Sequence, residues 1–297
     1  MARVLGEYGP VTLLRIIKSS WLGFVLFCWT TSLVNAAFDG FEVSDGYASN
    51  PNQTLIGLPT GASDIFSGPW QNNSNVPNPR DKNFQSSNGP DHRGYQGDRT
   101  FELKRGKTDG GGFIEAVRPM APYSGGLANP IQQVEVYAFI PAKTKNDPNS
   151  TVGMYLYSGS FKLNESASIT ARASSTLPNA ASWWVWDAGT YVDTGVEVRA
   201  DAWVHLTMEV NLATKTYTAS VDGSQVTPTR TLRFGTVNVS DNLTGVAFGM
   251  NNTGPANRSA FFDALTVRPR VPELQSWLTV LGMVGAGLLP FSLRTRR

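Results

Sequence analysis

Through the middle of the chain, apolar and polar residues alternate. In residues 131–140, Val134, Val136 and Ala138 interleave with Gln133, Glu135 and Tyr137, and Pro141 closes the run. A period of two is the mark of a half-buried strand. Residues 152–157, 167–172 and 182–186 repeat it, and the last of these sets Trp184 and Trp186 on one face and Trp183 and Val185 on the other. In residues 202–212, Val204, Leu206, Met208, Val210 and Leu212 share one side, while His205, Thr207, Glu209 and Asn211 share the other. That strand lays its apolar side on a core. Ala213-Thr214-Lys215 and Asp222-Gly223 supply chain reversals on either side of residues 217–221. Residues 244–250 and 260–267 predict two late strands, and amphipathic helical windows are scarce. Regular short strands separated by turn signals predict an all-β sandwich or barrel.

Residues 48–99 break the pattern. They are rich in Asn, Pro, Gly, Ser and Asp, which predicts long loop excursions with short strands at 83–87 and 99–103. Gly110-Gly111-Gly112 lacks the strand and helix of a phosphate loop and reads as a hairpin turn.

The ends follow different rules. Arg15 and Lys18 precede an apolar run from Trp21 to Trp29, and Val34 and Ala36 fit the −3 and −1 positions of a signal peptidase site. Residues 1–36 therefore read as a signal peptide cut after Ala36; the run is short for an uncleaved membrane anchor. At the other end, 18 uncharged residues, 276–293, run into Arg294-Thr295-Arg296-Arg297. That length just spans a bilayer, and the arginines hold the cytoplasmic side. Val271-Pro272-Glu273, one apolar helix and an Arg tail together resemble the PEP-CTERM sorting signal of Gram-negative bacteria. The resemblance implies processing by an exosortase at Pro272 and Glu273, with export to the cell surface, the outer membrane or the medium. Leu274 stands where that family has a second proline. A plain transmembrane anchor over 271–297 is the alternative.

Charge looks different once the ends are set aside. The whole chain has 25 basic and 23 acidic residues. Six of the basic and two of the acidic ones lie in the ends, leaving 19 against 21 in residues 37–270. No basic body exists to grip nucleic acid. The single cysteine, Cys28, lies in the N-terminal apolar run, so the middle has no disulfide framework, thiolate metal site or Cys nucleophile.

Trp203-x-His205-Leu206-Thr207-Met208-Glu209-Val210-Asn211-Leu212, followed by Tyr217-Thr218-Ala219-Ser220-Val221-Asp222-Gly223, resembles the concanavalin A-like (laminin G-like) jelly roll. Phe38-Asp39-Gly40-Phe41-Glu42 resembles its opening strand and Phe261-Phe262-Asp263-Ala264-Leu265-Thr266-Val267 its closing one. The resemblance implies one jelly-roll β-sandwich over 37–270 whose first and last strands pair. It also implies a structural calcium ion where those strands meet, with Asp39, Glu42 and Asp263 as carboxylate ligands; ordinary surface acids are the alternative.

Catalytic chemistry finds little support. His92 sits in a polar loop and His205 on a strand, which makes no zinc site. There is no G-x-S-x-G elbow. The Glu-x-Asp-x-x-Glu pair of retaining glycosidases on this fold, which needs two acids about 5 Å apart, is absent too. The aromatic run offers binding instead. If exposed, Trp184 and Trp186 form two indole platforms for sugar rings; if inward, they fill the core. The leading expectation is a non-catalytic protein that binds glycan or matrix polysaccharide. A polysaccharide-active enzyme and a structural adhesion protein without a discrete ligand are the alternatives.

Overall fold

The computed structural model describes residues 37–45, 47, 56–58, 66–74, 84–87, 95–97, 99–105, 112–120, 131–158, 165–232, 243–252 and 257–269. The expected signal peptide, residues 271–297 with Pro272 and Glu273, most of the 48–99 excursion and His92 lie outside them. No helix among the described residues is long and apolar enough to cross a membrane.

Among the described residues sixteen strands form, in chain order: β1 (Ala37–Asp39), β2 (Gln71–Asn72), β3 (Phe84–Ser87), β4 (Thr100–Arg105), β5 (Phe113–Pro119), β6 (Ile131–Phe139), β7 (Ser150–Tyr157), β8 (Glu165–Ala173), β9 (Ala181–Asp187), β10 (Thr190–Glu197), β11 (Trp203–Asn211), β12 (Thr216–Val221), β13 (Ser224–Gln225), β14 (Arg230–Thr231), β15 (Gly245–Asn252) and β16 (Arg258–Pro269). A single helical turn, α1 (Ala142–Lys145), follows β6. The alternating segments fold as strands, and the face expected for residues 204–210 is the buried one.

The strands make two antiparallel sheets, as in a jelly-roll β-sandwich. One has nine strands in the order β13-β12-β11-β6-β16-β4-β3, with β14 on β12 and β1 on β16. The other has seven, β10-β9-β8-β7-β15-β5-β2. Strand β16 pairs with β6 on one side, and on the other with β4 early and β1 late. The opening and closing strands therefore do pair, Ala37 lying opposite Val267. The β12–β13 reversal turns on Asp222 (φ 49°) and Gly223 (φ 77°), two left-handed residues that match the twist of a hairpin.

Between the sheets, Val134, Leu206, Met208, Ile169, Trp183 and Phe248 are buried in one continuous core. An aromatic knot occupies its centre: Phe248 stacks on Phe262 at 4.2 Å, and Trp70 packs on Phe101 at 4.8 Å. Gly110 and Gly111, expected in a hairpin turn, lie outside the described residues; the flanking strands β4 and β5 belong to different sheets and do not pair with each other.

Candidate functional site

Strand parity sets which side chains leave the core. In β9 the core takes Ala181, Trp183 and Val185, so Ser182, Trp184 and Trp186 face outward from the seven-stranded sheet. The same rule brings out Tyr155 and Tyr157 on β7, Ser168, Thr170 and Arg172 on β8, Glu115 and Val117 on β5, and Tyr191 and Asp193 on β10. Aromatic side chains thus gather on one outer face. Trp186 packs edge-on against Tyr191 at 4.5 Å, and the Arg172 guanidinium lies 3.3 Å from the Tyr191 ring centroid while its Nε donates to Thr170. Gly249 lets a ring lie close to the sheet: a Cβ there would collide with Phe113 and touch Tyr155, which meet edge to face at 5.3 Å.

A carboxylate sits in this face. Glu115 is 1% exposed; it accepts a 2.6 Å hydrogen bond from the Tyr157 hydroxyl and a 2.5 Å one from Asn73 Nδ2. Its backbone N–H donates to Ser74 Oγ at 3.0 Å. At the β10 edge, Asp193 gathers donors from Ser174, Ser175, Thr176, Ser182 and Gly195. Burial pushes this carboxyl up, but those donors outweigh it and hold Asp193 well below the usual carboxylate range.

The expected tryptophan pair therefore lies neither in the core nor fully open. Trp184 is half-buried and Trp186 is 9% exposed. Tyr191 belongs with them, as does Tyr155 beside Phe113.

The three acids expected around calcium go to different partners. Asp39 is 1% exposed; it is ion-paired with Arg118 and accepts from the Tyr47 hydroxyl at 2.6 Å and the Phe41 N–H at 3.1 Å. Glu42 Oε1 accepts from the Arg99 N–H at 2.9 Å. Asp263 accepts from Gln96 N–H at 2.8 Å and Ala264 N–H at 2.7 Å. Burial raises the Asp263 carboxyl to about 7, the backbone N–H groups of Gln96, Ala264 and Tyr95 pull against it, and Glu42 adds to the rise. Glu42 and Asp263 thus clasp one loop from two sides, while Asp39 is turned to Arg118. Among the described residues no three of His, Cys, Asp and Glu are grouped to hold a metal ion.

No protein-family model matches the sequence, and no curated protein does. Solved structures do align with it. Cellulose induced protein, Cip1, shares 14% identity over 78% of this chain and 96% of its own, with a TM-score of 0.45. The catalytic domain of a glycoside hydrolase family 131 protein from Coprinopsis cinerea shares 11% over 69% and 86%, at 0.44. A sialidase shares 7% over 73% of this chain, which spans only 20% of that protein, at 0.43. Likeness at this level carries no functional inference; the fold rests on the strand order and core above.

Sequence reasoning passed over Glu115, Arg118, Tyr95 and Tyr137. The alternation Phe113-Ile114-Glu115-Ala116-Val117 was the available signal for Glu115, since a lone acid between apolar strand residues faces away from the core. Nothing local marks Tyr95, which reaches its partner across the sheet.

Proposed function

We propose that this is an exported, surface-associated protein whose concanavalin A-like body binds extracellular polysaccharide without cleaving it. The carrying observation is the outward gathering of Trp184, Trp186 and Tyr191 beside Arg172 on one sheet face. Aromatic rings offer flat apolar faces to the C–H side of a pyranose, while the neighbouring half-buried Arg172 supplies donors for its hydroxyls. Delivery would use the signal peptide and the PEP-CTERM-like tail, with signal peptidase and an exosortase as processing partners. Retention of the full-length protein on a panel of insoluble polysaccharides tests the reading. Trp184→Ala should lower the retained fraction on the polymer that wild type binds, with an unchanged circular dichroism spectrum. Equal retention of wild type and variant would refute the site.

Glu115 favours a second reading, polysaccharide cleavage, because its carboxylate is held by Tyr157 and Asn73 within the same aromatic face. Release of reducing ends or of unsaturated products, abolished by Glu115→Gln, would establish that activity over simple binding.

A further inference from the structure

The opposite, outward face of the nine-stranded sheet carries its own aromatic cluster. Tyr137 of β6 and His205 of β11 are cross-strand neighbours with rings stacked at 4.5 Å. Tyr95 arrives from a loop and stacks on Tyr137 at 3.4 Å, 13° from parallel. Trp203 stands edge-on to Tyr95 at 6.1 Å and to Phe139 at 5.6 Å. Tyr95 is 46% exposed, one of two large apolar side chains among the described residues left so open. It is also fixed in place. Asp263 takes the N–H of Gln96, the next residue, and Glu42 takes that of Arg99. Gly97 (φ +84°) allows the turn between them, where a Cβ would strike Glu42. A ring held from two sides and left half open has lost its conformational freedom before any ligand arrives.

We propose that Tyr95 and Trp203 form a second carbohydrate site, an angled pair of rings that takes uncharged pyranose units, on the face opposite Trp184. Charge selects the class of ligand. Among the described residues the charged groups around the rings have partners: Arg199 pairs with Asp222, Arg268 pairs with Glu135, His205 Nε2 lies 3.4 Å from Glu135, and Asp263 accepts from the backbone N–H groups of Gln96 and Ala264. Among the described residues the patch therefore offers no unpaired cation to a uronate or sulfate and no unpaired carboxylate to a basic peptide. It offers ring faces edged by hydrogen-bonding groups, which suits a neutral sugar. The proposal goes beyond the reading above, because two sites on opposite faces make the protein bivalent. It would then tie neighbouring polysaccharide chains together with an avidity beyond either site alone.

The test uses full-length protein, an array of neutral glucan, xylan, mannan and galactan oligosaccharides, and beads coated with the polymer bound best. Wild type should clump the beads. Trp184→Ala should still bind the oligosaccharide and lose clumping. Tyr95→Ala in that background should weaken residual binding by about tenfold or more. If Trp184→Ala removes all binding and Tyr95→Ala none, the second site is overturned and the first stands. If Tyr95→Ala removes all binding and Trp184→Ala none, the second site stands alone and the first falls. Absence of binding to every neutral oligosaccharide overturns the proposal, as does a dimer in sedimentation that Tyr95→Ala dissolves, since the rings would then be covered by a second copy. A measured melt of each variant separates lost binding from lost fold.

Discussion

Asp39→Ala is the sharpest test of how the body is held together. The carboxylate is 1% exposed and Arg118 is 5% exposed at its side chain. Arg118 Nη1 reaches both Asp39 and, at 3.0 Å, the Tyr47 hydroxyl; that hydroxyl donates to Asp39 at 2.6 Å and accepts from Trp70 Nε1 at 2.8 Å. Arg118 also lies 4.2 Å over the Phe66 ring, and burial lowers its pKa to about 10. Truncating Asp39 leaves a guanidinium without its counter-charge in this interior. Breaking one partner of a buried pair costs about 3–5 kcal/mol. For a body of this size each kcal/mol shifts the melting temperature by about 2–4 °C, so Asp39→Ala should melt about 6–20 °C lower. Replacing both partners with apolar side chains removes the uncompensated charge. Asp39→Ala combined with Arg118→Met should therefore recover most of the loss rather than add to it. Urea unfolding of Asp39→Ala, Arg118→Met and the double variant, followed by tryptophan fluorescence with the denaturant slope checked for constancy, measures all three. A loss under about 1 kcal/mol in Asp39→Ala, or additive losses in the double variant, would refute the reasoning.

Three further outcomes follow from the same geometry. Asp263, raised to about 7 by burial against 3.8 for a free Asp, is neutral in the folded state at low pH. Its contribution to stability is complete below about pH 4 and is lost as pH rises through about 7, so Asp263→Ala should flatten the pH dependence of the melting temperature between those values. Asp193 has the opposite sign: its folded pKa is lowered, so its contribution is present above about pH 4 and lost on acidification, and Asp193→Ala should erase that part of the acid slope. Gly249→Ala should drive a methyl into Phe113 and destabilise the sheet by about 1–3 kcal/mol in urea unfolding, and a variant as stable as wild type would contradict the close ring packing there.

Much of the sandwich is legible in the sequence because a strand's two faces obey one local rule. Residues 131–140 and 202–212 appear as β6 and β11 with the expected inward residues. The rule also separates Trp183 from Trp184 correctly. It fails where the chain's path matters more than its period. Strand β10, with burial alternating only weakly, lies at the edge of its sheet beside β9. The glycines at 110–112 look like a hairpin, yet the flanking strands β4 and β5 lie in different sheets.

The site repeats this division more severely. Parity places a side chain on a face; it does not decide whether that face is open. Trp186 points outward and is nearly closed by Tyr191, while Glu115 points outward and is closed by Asn73, 42 positions earlier. Asp39 shows the same effect inward. It stands in the opening strand where the resemblance expects a metal ligand, and Arg118, 79 positions away, claims it. An outward ring is accessible only when no distant segment has been folded over it. The Tyr95 loop marks the difference, because here the distant segment is itself the exposed ring. Asp263 on the closing strand and Glu42 just after the opening one hold that loop, so the strands that pair as β1 and β16 also build the surface on which Tyr95 is displayed.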